Sequence, residues 1–252
     1  MAIDVKPLIE TYRAYLGKIN RANFSMDKLM DFLKEKDFFN MPASIKYHSS
    51  FQGGLAYHSL LVLNEYTKLI ADLQMDIPKD SAIITSLLHD VCKIDTYERK
   101  DDEEPTEKQL EYLKSLLENH NKELEENPVN FSRRYVSSLI DWLKNKPEEK
   151  RPEQDHGWGY KESPRYPFKH GDKSVYLAEK FIDLKDREML AIRFHMGAWE
   201  DSLTEDRELL KQYNNAKDKY PDVKLIAIAD ELATYREDWN KNTHLNNIDC
   251  HI

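Results

Sequence analysis

The sequence predicts an all-α fold, in which packed helices bury a common core. The chain has only 7 glycines and is rich in leucine, glutamate, lysine and isoleucine. No segment sustains the alternation of apolar and polar residues that marks a half-buried strand. Apolar residues instead recur at helical spacing, which predicts a series of amphipathic helices. These helices are expected at 27–36, 55–73, 81–92, 107–124, 132–144, 173–184, 186–195 and 222–238.

Short polar or proline-bearing joints separate the expected helices. DIPKD precedes the helix that begins at Ser81, and ENPVN falls between the two helices around Pro128. NKPEEKRPEQD follows the second of those two, and KYPD precedes the last long helix. Proline is found at the ends of helices because it lacks a backbone N–H. Each of these joints is therefore expected to be a boundary between helices and not the interior of one. The Gly53–Gly54 pair gives the backbone freedom where the helix 55–73 begins.

We expect one domain over residues 1–252, since 252 residues with 40% hydrophobic content can bury a substantial core. Its predicted core is 38–97 together with 166–238, and residues 1–37 form N-terminal helices. The segment 98–165 is richer in Glu, Lys, Asn and Pro, and is predicted to be a largely helical insertion.

The composition excludes some classes of function. With 37 basic and 46 acidic residues, the formal charge of −9 argues against sequence-blind binding to duplex DNA, where phosphate neutralisation dominates the affinity. Two cysteines, Cys92 and Cys250, are too few for a disulfide framework or a thiolate zinc site, which favours a reducing cytoplasm. The first residues lack a basic region followed by a long apolar core, and no apolar run approaches the roughly 18 residues of a membrane span. We therefore expect no secretory leader and no membrane partner.

The stretch TSLLHDVCKI places His89 and Asp90 side by side at the end of an apolar run. Burying an imidazole and a carboxylate costs several kcal/mol unless something pairs with them, and a metal ion is a candidate partner. A His-Asp dipeptide is nevertheless expected by chance in a chain with 9 histidines and many acidic residues. The dipeptide alone therefore does not define a site.

Four more polar residues lie among apolar neighbours: His58, His170, His195 and Asp230. Each histidine taken singly is most simply a hydrogen-bonded core side chain, and Asp230 could satisfy a helix end. Together with His89 and Asp90 they favour one shared metal site. Mixed imidazole and carboxylate ligands suit manganese, iron, nickel, cobalt or zinc, with magnesium also possible, better than calcium. Two ions about 3.5–4 Å apart need a bridging carboxylate, and Asp90 is the expected bridge.

The order His58, His89–Asp90, Asp230 resembles the signature of the HD superfamily of metal-dependent phosphohydrolases. FNMPASIKYHSSFQGGLAYHSLLV is similar to the opening segment of HD-domain hydrolases that act on nucleotides and RNA ends. SLLHDVCKI resembles their HD-x-x-K core, and KHGDKSV followed by AIRFHMG resembles their later histidine pair. The resemblance covers roughly residues 38–97 and 166–235, and the insertion lies outside it.

This resemblance implies an HD-domain-like helical bundle with a defined set of ligands. His58, His89, Asp90 and Asp230 would bind a first ion, while His170 and His195 would complete a second site bridged by Asp90. Lys93 would contact a phosphate oxygen or assist the attacking water. Further candidates for substrate contact are Lys173, Arg193 and Trp199.

The resemblance also has one departure. The separation between His89 and His170 exceeds that in compact members of the superfamily. The insertion must therefore loop out and return for the second ion to bind. A chain that did not return would hold a single ion, which is typical of a mononuclear nucleotidase.

The function that these residues predict is a phosphohydrolase with Asp90 and Lys93 as catalytic residues. A metal-bound hydroxide would attack phosphorus in a nucleotide, cyclic nucleotide or oligonucleotide. We expect a small phosphorylated substrate. The aromatic residues before His170, which are Trp158, Tyr160, Tyr166 and Phe168, and Trp199 just after His195 could stack on a base. Packing of the insertion against the domain is the alternative explanation for them.

Two alternatives stay open. The opening segment suggests a 3′-5′ exoribonuclease, although the acidic balance and the absence of a separate basic region weigh against it. The other alternative is a catalytically silent, metal-stabilised sensor or adaptor whose helical insertion binds a partner protein. The oligomeric state is left open by the sequence.

Overall fold

The computed structural model describes residues 5–45, 47–100, 104–124, 128, 131–149, 151–152, 157–197 and 205–239. The predicted all-α fold is confirmed, since these residues form ten α-helices and a single sheet of two short strands. The helices are α1 (Val5–Leu16), α2 (Met26–Glu35), α3 (Gly54–Asp72), α4 (Lys79–Leu88), α5 (Glu107–Asn119), α6 (Arg133–Asn145), α7 (His170–Ala178), α8 (Asp186–Arg193), α9 (Arg207–Lys219) and α10 (Asp222–Trp239). The strands are β1 (Tyr97–Arg99) and β2 (Trp158–Tyr160).

The chain divides into two compact units. The first contains residues 1–96 and 161–252, and the second contains residues 97–160. For comparison, the sequence places the limits of the insertion at 98–165. None of the described helices is long and apolar enough to cross a membrane.

Helix α3 lies at the centre of the first unit. Its residues from Gly54 to Thr67 are almost all buried, as expected for a helix that is covered on every side. It packs against α1, α4 and α10, and α8 contacts both α4 and α10. The side chains of Leu61, Tyr66, Ile226 and Ala229 belong to the core that these helices share.

A buried ion pair ties the chain segment after α1 to α8. Arg21 donates from two nitrogens to the carboxylate of Glu188, which is fully buried, and also donates to Asp80 at 2.7 Å. Glu188 further accepts a hydrogen bond from Ser81 Oγ at 2.5 Å. Because the paired charges leave water together, removing one partner would strand the other. This network fixes α8 against the start of α4.

The second unit is a helical hairpin with a two-stranded ribbon. Thr106 and Gln109 form a capping box at the start of α5, which satisfies backbone donors there. Helices α5 and α6 pack through a small core of their own, which includes Leu113, Tyr135 and Leu139. The strands β1 and β2 are antiparallel.

The helix expected over 81–92 ends earlier than predicted. Helix α4 stops at Leu88, and residues Val91–Asp95 form a 3-10 turn after it. Asp90 leaves the helical conformation, with φ −107° and ψ 13°. The side chains of the turn are buried like those of α4, so the apolar run continues through both. Periodicity alone therefore does not show where the helix ends.

Candidate metal centre

The first unit brings six predicted site residues together from five parts of the chain. His58 lies in the first half of α3, and His89 and Asp90 follow α4 directly. The remaining three are His170, the first residue of α7, His195, which follows α8, and Asp230 in α10. The chain does return after the insertion, since His170 Nε2 lies 2.8 Å from Asp90 Oδ1.

The first group of potential ligands contains His58, His89 and Asp230. One ligand atom of each lies within 4.8 Å of those of the other two. His58 Nε2 and Asp230 Oδ1 are 2.8 Å apart. Burial raises the pKa of Asp230, but the hydrogen bond and charge of His58 outweigh it, so the pKa is lowered. Asp230 is therefore a carboxylate at neutral pH and can act as a ligand.

His89 is held in the orientation that a metal ligand requires. Its Nδ1 is 2.7 Å from the carbonyl oxygen of Ser86, and since a carbonyl only accepts, Nδ1 carries the proton. Burial lowers the pKa of His89 to about 4, so the ring is neutral and Nε2 keeps its lone pair. This Nε2 is buried and has no hydrogen-bond partner among the described residues.

Asp90 lies between two groups of histidines. Its Oδ1 is 2.8 Å from His170 Nε2 and 3.6 Å from His195 Nε2. Its Oδ2 is 3.5 Å from His89 Nε2 and 2.5 Å from Lys93 Nζ. Although burial raises the pKa of Asp90, the charge of Lys93 and the hydrogen bond from His170 hold it well below the usual range. The carboxylate thus has one oxygen near His170 and His195 and the other near His89 and Lys93.

The second group centres on His170 and His195, whose Nε2 atoms are 3.2 Å apart. His195 Nδ1 donates to the carbonyl oxygen of Ile192 at 2.7 Å, so its Nε2, which faces His170 and Asp90, is the nitrogen with a lone pair for a ligand bond. Burial lowers the pKa of His170, but Cys92 and Asp90 raise it to about 10 in the absence of a cation. A cation at this position would have to displace that proton.

Two glycines allow the close approaches that build the site. A Cβ atom on Gly171 would lie 2.0 Å from the carbonyl oxygen of Arg193, so only glycine lets the start of α7 contact the end of α8. A Cβ atom on Gly54 would lie 2.0 Å from the carbonyl oxygen of Ser49. The first contact brings His170 to His195, and the second holds the loop before α3 against the helix.

The residues present fit divalent ions. Within the part of the chain that the structure describes, Nε2 of His89 and Nδ1 of His58 are buried without a hydrogen-bond partner, which is costly unless something binds in the cluster. Neutral imidazoles with carboxylates are the ligands of borderline divalent metals. Asp90 also forms a third group with Cys92 and His170, again with ligand atoms within 4.8 Å of one another.

The predicted substrate contacts occupy different environments. Lys93 is buried beside Asp90. Lys173 is also buried, and its Nζ is 3.1 Å from Asp95 Oδ2. Arg193 forms an ion pair with Asp172. Trp199 lies outside the described residues.

Sequence reasoning gave no role to His48, which lies beside the first group. Its ring centroid is 4.7 Å from that of His58, and its Nε2 is buried without a partner among the described residues. Burial, with the charges of His58 and Lys93, lowers the pKa of His48 to about 3. The sequence feature that could have identified His48 is its position in KYHSSFQGG, shortly before the two glycines. Cys92 and Asp95 were likewise passed over, because their roles depend on contacts with α7 and the loop before it.

The fold and the site together define an all-α protein with a candidate centre for two divalent ions. Among curated proteins, the chain is similar to the 3′-5′ exoribonuclease YhaM of Bacillus subtilis (strain 168), with 32% identity over 95 residues, which are 36% of this chain and 29% of that protein. The protein of the same name from Bacillus velezensis matches with the same identity and coverage. The one from Bacillus licheniformis is 39% identical over 59 residues, 23% of this chain and 18% of the relative.

The chain thus spans less than a third of the length of the curated relatives it matches. No family model matches the chain, and no solved structure matches it. The partial similarity, taken with the His/Asp groups, supports a hydrolytic enzyme and suggests an HD-like family.

Proposed function

We propose that the chain is an HD-type, metal-dependent phosphodiesterase that shortens single-stranded RNA from its 3′ end. The observation that carries this proposal is the position of Asp90, with Oδ1 toward His170 and His195 and Oδ2 toward His89. The relatives named as 3′-5′ exoribonucleases support RNA among the phosphoesters that such a site could cleave.

His58, His89, Asp90 and Asp230 would hold one ion, and Asp90, His170 and His195 the other. Bound divalent ions supply an activated water at neutral pH and neutralise charge on a phosphoryl oxygen. Manganese, iron, cobalt, nickel and zinc suit this ligand set, because four of the six side chains are imidazoles.

The protein side chains supply orientation and charge. The carbonyl oxygens of Ser86 and Ile192 fix the rings of His89 and His195 with Nε2 inward. The ammonium of Lys93 donates to Asp90 Oδ2 and places a positive charge in the wall of the site. We assign Lys93 the role of donating a hydrogen bond to a phosphoryl or departing oxygen. Phosphoryl transfer depends mainly on such positioning and charge stabilisation.

An exposed aromatic cluster lies close in sequence to the second group. Phe168 precedes His170 by two residues, so its Cα lies within about 7 Å of the Cα of His170. The rings of Tyr166 and Phe168 each lie 5.1 Å from the ring of Tyr176. Lys180 Nζ is 4.5 Å from the ring centroids of both tyrosines. Aromatic faces with cations suit a single strand, whose bases stack and whose phosphates are anionic.

The test is hydrolysis of 5′-labelled single-stranded RNA by purified protein supplied with Mn²⁺, Co²⁺ or Mg²⁺. We expect products shortened stepwise from the 3′ end. Asp90→Asn should abolish this activity because it halves the ligand capacity of the bridge, whereas Asp218→Asn, at an exposed position in α9, should retain it. A folded wild-type protein that cleaves no RNA with any of these ions would refute the proposal.

The same screen separates the other possibilities. Including nucleoside monophosphates, cyclic nucleotides and a generic aryl phosphodiester distinguishes a nucleotidase or cyclic phosphodiesterase from an exoribonuclease. A protein that binds ions tightly but hydrolyses none of these substrates would instead be the sensor or adaptor.

A further inference from the structure

His89, His170 and His195 all lie near Asp90 through Nε2, and they differ in the partner of Nδ1, which is called the outer ring nitrogen below. In His89 and His195, Nδ1 donates to a backbone carbonyl at 2.7 Å. In His170, Nδ1 lies 3.2 Å from the Sγ atom of Cys92. His170 is thus the one ring of these three that a side chain, and a sulfur atom, holds in place.

Cys92 contacts residues in two consecutive turns of α7. Its sulfur contacts His170, and its backbone N–H donates to Ser174 Oγ at 3.2 Å. Residues 170 and 174 are four apart, so they lie on the same face of the helix. The side chain of Cys92 is fully buried. These contacts join the turn that follows His89 and Asp90 to the helix that begins with His170.

The sulfur lies nearer to the outer nitrogen of His170 than to the inner one. Sγ is 3.2 Å from Nδ1 and 3.8 Å from Nε2, while Asp90 Oδ1 approaches Nε2 at 2.8 Å. The sulfur therefore lies against the ring near Nδ1, while Asp90 approaches the ring at Nε2. A cation near Asp90 would meet Nε2, and the sulfur lies 3.8 Å from that atom, so direct ligation by the sulfur has to be tested separately.

We propose that Cys92 is a positioning residue, whose sulfur holds Nδ1 of His170 so that Nε2 faces Asp90 and His195. This inference rests on the proposed function, because it concerns the second of the two proposed ions. A partner of a ligand's outer nitrogen fixes ring orientation, and its removal typically weakens metal binding by about 10–100-fold. A thiol is a weak donor and acceptor, so the ring of His170 is held less firmly than the rings of His89 and His195, which backbone carbonyls hold.

The experiment is calorimetric titration of the metal-free full chain with Mn²⁺ and, separately, Co²⁺. For Cys92→Ala we expect the affinity for the second ion to fall by about 10–100-fold while the first ion binds as in the wild type. Cys92→Ser should restore much of the loss, because a hydroxyl can also accept from Nδ1.

Two matched controls separate positioning from general loosening of α7. Ser174→Ala removes the hydrogen bond that α7 accepts from the Cys92 backbone N–H but keeps the sulfur, so the second ion should bind almost as in the wild type. Cys250→Ser tests the other cysteine and should change neither affinity. A loss in Ser174→Ala equal to that in Cys92→Ala would overturn the positioning role.

The cobalt titration also distinguishes positioning from direct ligation. A Co²⁺–thiolate bond gives intense near-ultraviolet charge-transfer absorption, which we expect to be absent from the wild type. A band that disappears in Cys92→Ser would overturn the inference, since the sulfur would then be a ligand. Two ions in the wild type with unchanged affinities in Cys92→Ala would overturn the inference alone, whereas a wild type that binds no ion would overturn the proposed function as well.

Discussion

The carbonyl oxygen of Arg193 occupies the space in which residue 171 would carry its Cβ atom, 2.0 Å from the ideal Cβ position of Gly171. Gly171 follows His170, and Arg193 precedes His195 by two residues. The contact therefore sets how closely the two histidines approach, and their Nε2 atoms are 3.2 Å apart. The absence of a side chain at Gly171 thus determines both how closely α7 and α8 pack and how the second group of potential ligands is arranged.

Gly171→Ala should damage this group more than it damages the fold. The new methyl group would meet a backbone atom, which cannot rotate away, so α7 and α8 must separate at a cost of about 1–3 kcal/mol. We expect a lower Tm and loss of the second ion in a metal titration. Gly17→Ala is the control, since its nearest atoms would be at 3.4 and 3.5 Å, and it should change neither. Normal binding of two ions by Gly171→Ala would show that the contact does not set the site.

Lys93→Met should impair catalysis while leaving the ions bound. It removes the positive charge that lies 2.5 Å from Asp90 Oδ2, so a phosphoryl oxygen in the site loses a donor. Loss of one such donor typically lowers kcat by about 100–1000-fold. Steady-state kinetics with RNA, together with metal analysis, measures the effect, and Lys224→Met on the exposed side of α10 is the control. If kcat were unchanged, Lys93 would be a structural partner of Asp90 and nothing more.

Asp95→Asn should destabilise the loop that leads into α7. The carboxylate is buried and accepts from the backbone N–H groups of Arg165 at 3.0 Å and Tyr166 at 2.9 Å, beside the buried ammonium of Lys173. Neutralising one partner of a buried ion pair costs about 3–5 kcal/mol. Thermal unfolding followed by circular dichroism at neutral pH measures the loss.

The pH dependence of this loss has a defined sign. Burial raises the pKa of Asp95, but the N–H of Tyr166 and the charge of Lys173 outweigh it, so the pKa is lowered in the folded state. The stabilisation is complete above the unfolded pKa of about 3.9 and disappears as the pH falls through the lower folded value. The difference in Tm between wild type and Asp95→Asn should therefore shrink in acid. A difference that grew below pH 4 would contradict this assignment. Asp27→Asn, in an exposed pair with Arg13, should have little effect at any pH.

The sequence predicted the all-α fold because helical periodicity is a local property, repeated in almost every segment. The end of α4 at Leu88 was not predictable in this way, since burial continues through the turn Val91–Asp95. The convergence of His58, His89 and Asp230 was expected from their apolar neighbours in the sequence and from a resemblance, and not from spacing. Their contact depends on the packing of α3 and α10, which the local pattern does not specify.

Side chains with tertiary partners were harder to interpret. Lys173 was a candidate for substrate contact, and that role stays a prediction, yet the folded chain places its ammonium against Asp95. Counting cysteines excluded a thiolate zinc site but could not reveal that the sulfur of Cys92 contacts the ring of His170. Such contacts join residues about 80 positions apart, so they appear only when the helices are assembled.

Phe168→Ala should weaken binding of RNA without impairing the chemistry. The ring is 46% exposed and lies two residues before His170, so it is available to stack on a base near the cleaved phosphate. Stacking contributes about 1–3 kcal/mol per base, which predicts a rise in KM for RNA of about 5- to 150-fold. Cleavage of a generic aryl phosphodiester should be unchanged, because that substrate has no flanking base. Tyr235→Ala removes another exposed aromatic ring, from α10, and should affect neither substrate. Equal losses on both substrates in Phe168→Ala would show that the ring supports the site and does not bind bases.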